Sequence, residues 1–184
     1  MAVDLTQTLA EHPILGMFHN IPGKENGIDL EGLAAVGDAL YLGFRSPLLR
    51  SGFAPILRLT FERPQETELS FVDLGGRGVR ELVAVADGFL IVAGPSNDAP
   101  LSYLLYHWDG HDMIPGRRGD GDPALGRVLL LGRIPTPPGA KAEGMTVLAT
   151  TPEHYELLIA YDSAAGGGMR ILQAPRVAED PARQ

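Results

Sequence analysis

The chain has 184 residues, enough for one domain, and its 45% hydrophobic and 21% charged residues are the balance of a globular protein. Fifteen Lys+Arg against 23 Asp+Glu give a formal charge of -8, which argues against a basic nucleic-acid surface and against binding to an anionic membrane. There is no cysteine, so disulfides, Cys-based zinc sites and thiol nucleophiles are excluded, and no apolar run approaches the roughly 20 residues that span a bilayer.

Residues 1–11 contain Asp4 and no basic residue, so they do not read as a signal peptide, and a cytoplasmic location is expected. Within this otherwise flexible terminus, residues 5–11 form the one plausible helix, with Asp4 as its N-cap. The rest of the chain falls into short apolar runs bounded by Gly, Pro, Asp or Asn. They include ALYLGF (39–44), PILRLTF (55–61), LSFVDL (69–74), FLIVAG (89–94), LSYLLYHW (101–108), RVLLLG (127–132) and ELLIAY (156–161). Each has the length of a strand. The Gly- and charge-rich stretch 110–125 is expected to be the most mobile internal segment, and residues 178–184 a second flexible terminus.

The runs repeat. Segments beginning near Ile28, Gly78 and Lys141 each carry a charged residue, a short apolar strand, a turn and a second apolar strand. The charged residues are Glu31, Arg80 and Glu143, spaced by 49 and 63 residues. A third strand follows each pair, at 54–61, 101–109 and 169–177, and a further strand precedes it, from Ile14 to Ile21 and then at 69–74 and 128–134. This predicts twelve strands and an all-β fold of three four-stranded β-propeller blades over residues 12–177. A twelve-stranded sandwich or barrel is the alternative that strand counting leaves open.

Closed propellers usually have four to eight blades, so three make an open arc. The strand from Ile14 to Ile21 lacks inner strands of its own, and the last set of three lacks an outer one. A homodimer in which each such strand completes the partner's last blade would close a six-bladed ring. The alternative places the other half of the ring on a covalent segment outside this chain.

The starts of the inner strands gather Lys24, Asn26, Asp29, Glu31, Arg77, Arg80, Lys141 and Glu143. The exits of the second strands add Arg45, Ser46, Ser96, Asn97, Asp98, Asp162 and Ser163. Two readings follow. Glu31, Glu143, Asp98 and Asp162, with Asn97, offer the oxygen ligands that Ca²⁺ takes, and a bound cation could activate water against a phosphoester or lactone. Lys24, Arg45, Arg80 and Lys141 would then hold a small anionic ligand. In the other reading, Arg80 sits between Glu31 and Glu143 as an inter-blade ion-pair ring, since buried charges must be paired. His12, His19, His107, His111 and His154 show no metal-binding spacing, His19 and His107 are expected in surface or interface packing on strands that end at the blade exterior, and His111-Asp112 in solvent. Trp108 reads as an outer-strand packing residue, and no phosphate loop or nucleophile elbow is present.

The stretches IPGKENGIDLEGLAAVGDALYLGFRSPLLR (21–50), DLGGRGVREL (73–82), IVAGPSND (91–98) and KAEGMTVL (141–148) resemble the bacterial domain of unknown function 3616 family. The resemblance runs from about residue 12 to 171. It implies similarity to the C-terminal half of longer members, and a distant likeness to EGLA-containing, phytase-like or esterase-like propellers. It implies a fold and no activity. The expected function is a ligand-binding, protein-binding or scaffold propeller closed by homodimerisation, with a Ca²⁺-assisted hydrolase as the alternative.

Overall fold

The apolar runs turn back on one another where a residue tolerates a tight reversal. Gly37, at φ +60°, closes the first hairpin, in which Val36 faces Ala39 across two residues. A computed structural model of the chain describes residues 4–114 and 125–176. Its strands are β1 (Asp29–Val36), β2 (Ala39–Ser46), β3 (Phe53–Thr60), β4 (Glu68–Asp73), β5 (Gly78–Val85), β6 (Gly88–Gly94), β7 (Leu104–Trp108), β8 (Val128–Arg133), β9 (Lys141–Thr150), β10 (His154–Asp162) and β11 (Met169–Pro175). They form three separate antiparallel sheets, ordered β1-β2-β3-β4, β5-β6-β7-β8 and β9-β10-β11. The chain is all-β, and no sheet closes into a barrel. β4 pairs with β3, and β8 with β7, so each outer strand completes the sheet that precedes it in the chain. Among the described residues the third sheet has no fourth strand. No described helix is long and apolar enough to cross a membrane.

The sheets pack face to face and meet most closely through their innermost strands, with β5 against β1 and β2 on one side and β9 on the other. The run FLIVAG explains how. Its residues alternate between two cores, as a strand buried on both faces must. Ile91 and Ala93 face the first sheet, beside Ile56, Val79 and Trp108. Leu90 and Val92 face the third, beside Tyr155, Leu157 and Ile159. Each such fully buried aliphatic side chain stabilises the fold by about 1.5–3 kcal/mol. Close approach of β5 requires glycine opposite: a Cβ at Gly32 or Gly43 would lie 2.7 or 2.5 Å from Val79 Cγ1.

A third core covers the far face of the first sheet. There Leu42, Phe44, Leu57, Leu59, Leu69 and Phe71 lie under Leu9 and Leu15, with Leu5 and Ile14 beside them. These residues belong to helix α1 (Leu5–Glu11) and the 3-10 turn Leu15–Phe18. Asp4 caps α1 as expected, its Oδ1 accepting the Gln7 N–H at 3.2 Å. The helix docks through Leu9, so residues 5–11 are part of the fold rather than of a loose terminus; residues 1–3 and 177–184 lie outside the described residues.

The strand expected from Ile14 to Ile21 does not form. His12 Nδ1 accepts the N–H groups of Ile14 and Leu15, both at 3.2 Å, and the Gly16 N–H reaches the His12 carbonyl at 2.8 Å. These local bonds satisfy the backbone as a tight turn, and the apolar side chains go down onto a sheet face instead of alternating across a ladder. The described strands therefore number eleven, not twelve. Of the stretch expected to be mobile, residues 115–124 lie outside the described residues, while 110–114 are docked. Asp112, expected in solvent, is buried and accepts the N–H groups of Phe71 and Ile114.

Candidate functional site

The charged residues matched along the sequence share one backbone feature. Leu30 pairs with Phe44 and Gly32 with Gly43, which leaves Glu31 as the extra residue of a β-bulge. Arg80 is extra between Val79 and Glu81, and Glu143 between Ala142 and Gly144. Arg45 is likewise the extra residue on β2. A bulge re-aims its side chain away from the regular alternation. β1, β5 and β9 therefore send their bulge side chains to one place, near the ends where these strands begin.

There they form a continuous ion-pair network. Arg80 is only 4% exposed; its Nε lies 2.8 Å from Glu31 Oε2, and its Nη2 contacts Glu143 Oε1. The Nε approach is off the hydrogen-bond axis, so that contact is an electrostatic pair. Arg80 Nη1 donates to the Pro95 carbonyl at 3.4 Å, and its guanidinium lies 5.9 Å from the Tyr103 ring centre. Arg45 Nη1 reaches Glu31 at 3.0 Å and Asp29 at 3.1 Å, while its Nε donates to the Ser96 carbonyl. Lys141 stands 4.0 Å from Glu143 and 3.8 Å from Asp162. One buried arginine thus ties all three sheets together, as the ion-pair reading expected.

Burial pushes the Glu31 carboxyl above its ordinary pKa, against the hydrogen bond from Arg45 and the charges of Arg80 and Arg45. Burial also works against the charge on Arg45, but the hydrogen bond to Glu31 and the nearby Asp29 outweigh it and raise its pKa.

The remaining expected residues scatter. Lys24 and Asp98 pair with each other at 3.1 Å, both well exposed. Asn26 faces the backbone: its Nδ2 donates to the Leu48 carbonyl at 3.0 Å and its Oδ1 accepts the Leu48 N–H at 2.7 Å. Ser46 donates to the carbonyls of Gly23 and Gly27, and Asn97 accepts the Ala99 N–H in a local turn. Arg77 holds the carbonyls of Ser102 and Gly75. The four carboxylates expected around Ca²⁺, Glu31, Glu143, Asp98 and Asp162, are each paired with a lysine or arginine. Among the described residues no three His, Cys, Asp or Glu side chains gather as a metal site.

Two features had no clear sequence signal. Glu81, next to Arg80, is half buried, and burial raises its pKa against the backbone amides of Leu82, Met145 and Leu33. Those amides lie on β5, β9 and β1, each two residues beyond a bulge residue. The other feature lies at the opposite strand ends. Tyr155 Oη donates to Asp87 Oδ1 at 3.0 Å, with His107 Nε2 at 3.5 Å and Arg176 Nε at 3.7 Å from the same carboxylate. His107 is buried beside this carboxylate, a packing position of the kind expected for it. Trp108 is fully buried, stacked on Phe89 and donating to the His111 carbonyl.

The family described as "Protein of unknown function (DUF3616)" matches residues 2–180. The chain belongs to the DUF3616 family. No curated protein and no solved structure matches this DUF3616 chain significantly.

Proposed function

We propose that this chain is an arc of three β-propeller blades, half of a six-bladed ring that a second copy closes, and that it serves as a binding or scaffold module. The observation that carries this reading is the outer face of the third sheet, left uncovered among the described residues. Among the described residues the other five sheet faces are covered, four of them at the two interfaces between neighbouring sheets and one by α1 and the turn after it. On the outer face of the third sheet Met169 and Ile171 are 69% and 64% exposed. Among the described residues the sheet also has an open edge at β11, and both features expose a chain to aggregation unless a partner covers them. Two-fold assembly doubles three blades to six, within the range of closed propellers.

The recognition surface in this reading is the mouth where the inner strands begin. Lys24 and Lys141 are its accessible cations, suited to a small anionic ligand. The hydrolytic alternative would require Ca²⁺ to displace the arginine and lysine partners of its carboxylates. The test is mass in solution by light scattering. A species near twice 19.7 kDa supports the half-ring. A folded monomer at high concentration refutes it.

A further inference from the structure

The half-ring reading fixes more than an oligomeric state, because the sheets follow one another by a repeated step. The step from the first sheet to the second brings Glu31 to Arg80, and the next brings Arg80 to Glu143. Each puts opposite charges together. Continued past the third sheet, the same step meets the first sheet of a second copy, and the order of signs fails. We infer that the seam between copies sets the outer face of the third sheet against the first sheet of a second copy, so that Glu143 meets the second copy's Glu31 with no arginine between them.

This rests on the half-ring reading and specifies its contact. The apolar side chains support it. Five of the eleven exposed large hydrophobics among the described residues lie at the two ends of the arc: Met169 and Ile171 at one, Met17, Ile21 and Leu33 at the other. Cross-strand register puts Leu33 beside Leu42, on the far face of the first sheet. It also puts Ile171 beside Leu158 and Met169 beside Ala160 on the third. Blades diverge outward from their inner strands, and α1 with its following turn fills that widening gap at the seam. Tyr41, Phe89 and Trp108 fill it between the first two sheets.

The charges make the seam conditional. Glu143 faces Arg80, Lys141 and, through Lys141, Asp162; Tyr103 lies close behind. Glu31 faces Arg80, Arg45 and Asp29. Bringing the two groups together places four carboxylates beside Lys141 and Arg45, with each Arg80 already committed within its own chain. Like charges at contact distance favour a shared proton. Association therefore tightens as pH falls.

The experiment measures the dimer Kd by sedimentation from about pH 5.5 to 8 for the wild-type chain, Glu143→Gln and Ile171→Asp, with circular dichroism confirming folding. The wild-type Kd should weaken about tenfold or more across this range, the effect of one pKa unit. Glu143→Gln keeps an acceptor for Arg80 and should bind tighter at pH 8 with a flatter profile. Ile171→Asp should give folded monomer. A dimer whose Kd ignores pH, or which survives Ile171→Asp, overturns this seam while leaving the half-ring standing. A wild-type chain that stays monomeric at every pH overturns both.

Discussion

Replacing Arg80 tests whether one buried cation holds three sheets. Arg80→Leu keeps much of the apolar stem volume and removes the guanidinium. The carboxylates of Glu31 and Glu143, 23% and 32% exposed, then lose their shared partner. Breaking a fully buried pair costs about 3–5 kcal/mol. Solvent reaches both carboxylates, and Arg45 and Lys141 still serve one each, so screening reduces the cost to about 2–4 kcal/mol. For a domain of this size each kcal/mol moves Tm by about 2–4 °C, so the variant should melt roughly 5–15 °C lower at pH 7. Thermal and urea unfolding followed by circular dichroism read this directly. The cause is checked by a second variant, Arg80→Leu with Glu31→Gln and Glu143→Gln, which removes the stranded charges and should recover most of the loss. A single variant within about 2 °C of wild type would refute the role given to Arg80. A triple variant as unstable as the single one would show that the guanidinium acts by packing and not by charge.

Glu31→Gln should flatten the acid limb of the stability profile. The raised pKa of Glu31 means that the folded state holds this proton more tightly than the unfolded chain does. Its favourable contribution is thus complete below the ordinary value of 4.5 and is lost as pH rises through the higher folded value; urea midpoints across that window in both proteins check it. Tyr155 has its pKa pushed up to about 12 by burial and by the hydrogen bond to Asp87. Stability should therefore hold to about pH 10 and fall towards 12, and Tyr155→Phe should cost about 1 kcal/mol at neutral pH, measured by urea unfolding. Gly43→Ala pushes a methyl to 2.5 Å from Val79 Cγ1 and should destabilise by about 1–3 kcal/mol in the same assay. Millimolar Ca²⁺ should leave Tm unchanged, because the candidate ligands are paired; a rise in Tm would revive the cation reading.

The strands were legible in the sequence because each is a short apolar run closed by a turn residue, and the repeat was legible because the same charged position recurs at each inner strand. What the sequence could not show is how one segment behaves without a neighbour. Residues 14–21 have the apolar content of a strand and the same Ile-Pro ending as residues 128–135. β8 becomes a strand because β7 offers a ladder. Residues 14–21 pair with none of the described strands, and the side chain of His12 satisfies two of their amides instead. Local composition was the same in kind; the available hydrogen-bond partners were not.

The site was legible in its charges and not in its backbone. Glu31, Arg80 and Glu143 could be aligned as residues, but only pairing register reveals them as bulge residues, and the bulge is what turns them from the alternating pattern toward one another. Glu81 follows from the same geometry. An innermost strand leaves one edge of N–H groups without a ladder, and buried amides require acceptors. The bulges bring Leu33, Leu82 and Met145 to equivalent places on three strands, and the amides there all act on one carboxylate. Gly32 and Gly144 occupy the positions that match Glu81 on the neighbouring strands, so neither can supply a second acid beside it. Glu81, between Arg80 and Leu82, reads in the sequence as an unremarkable polar position. Three converging strand edges make it the acceptor that their backbones need.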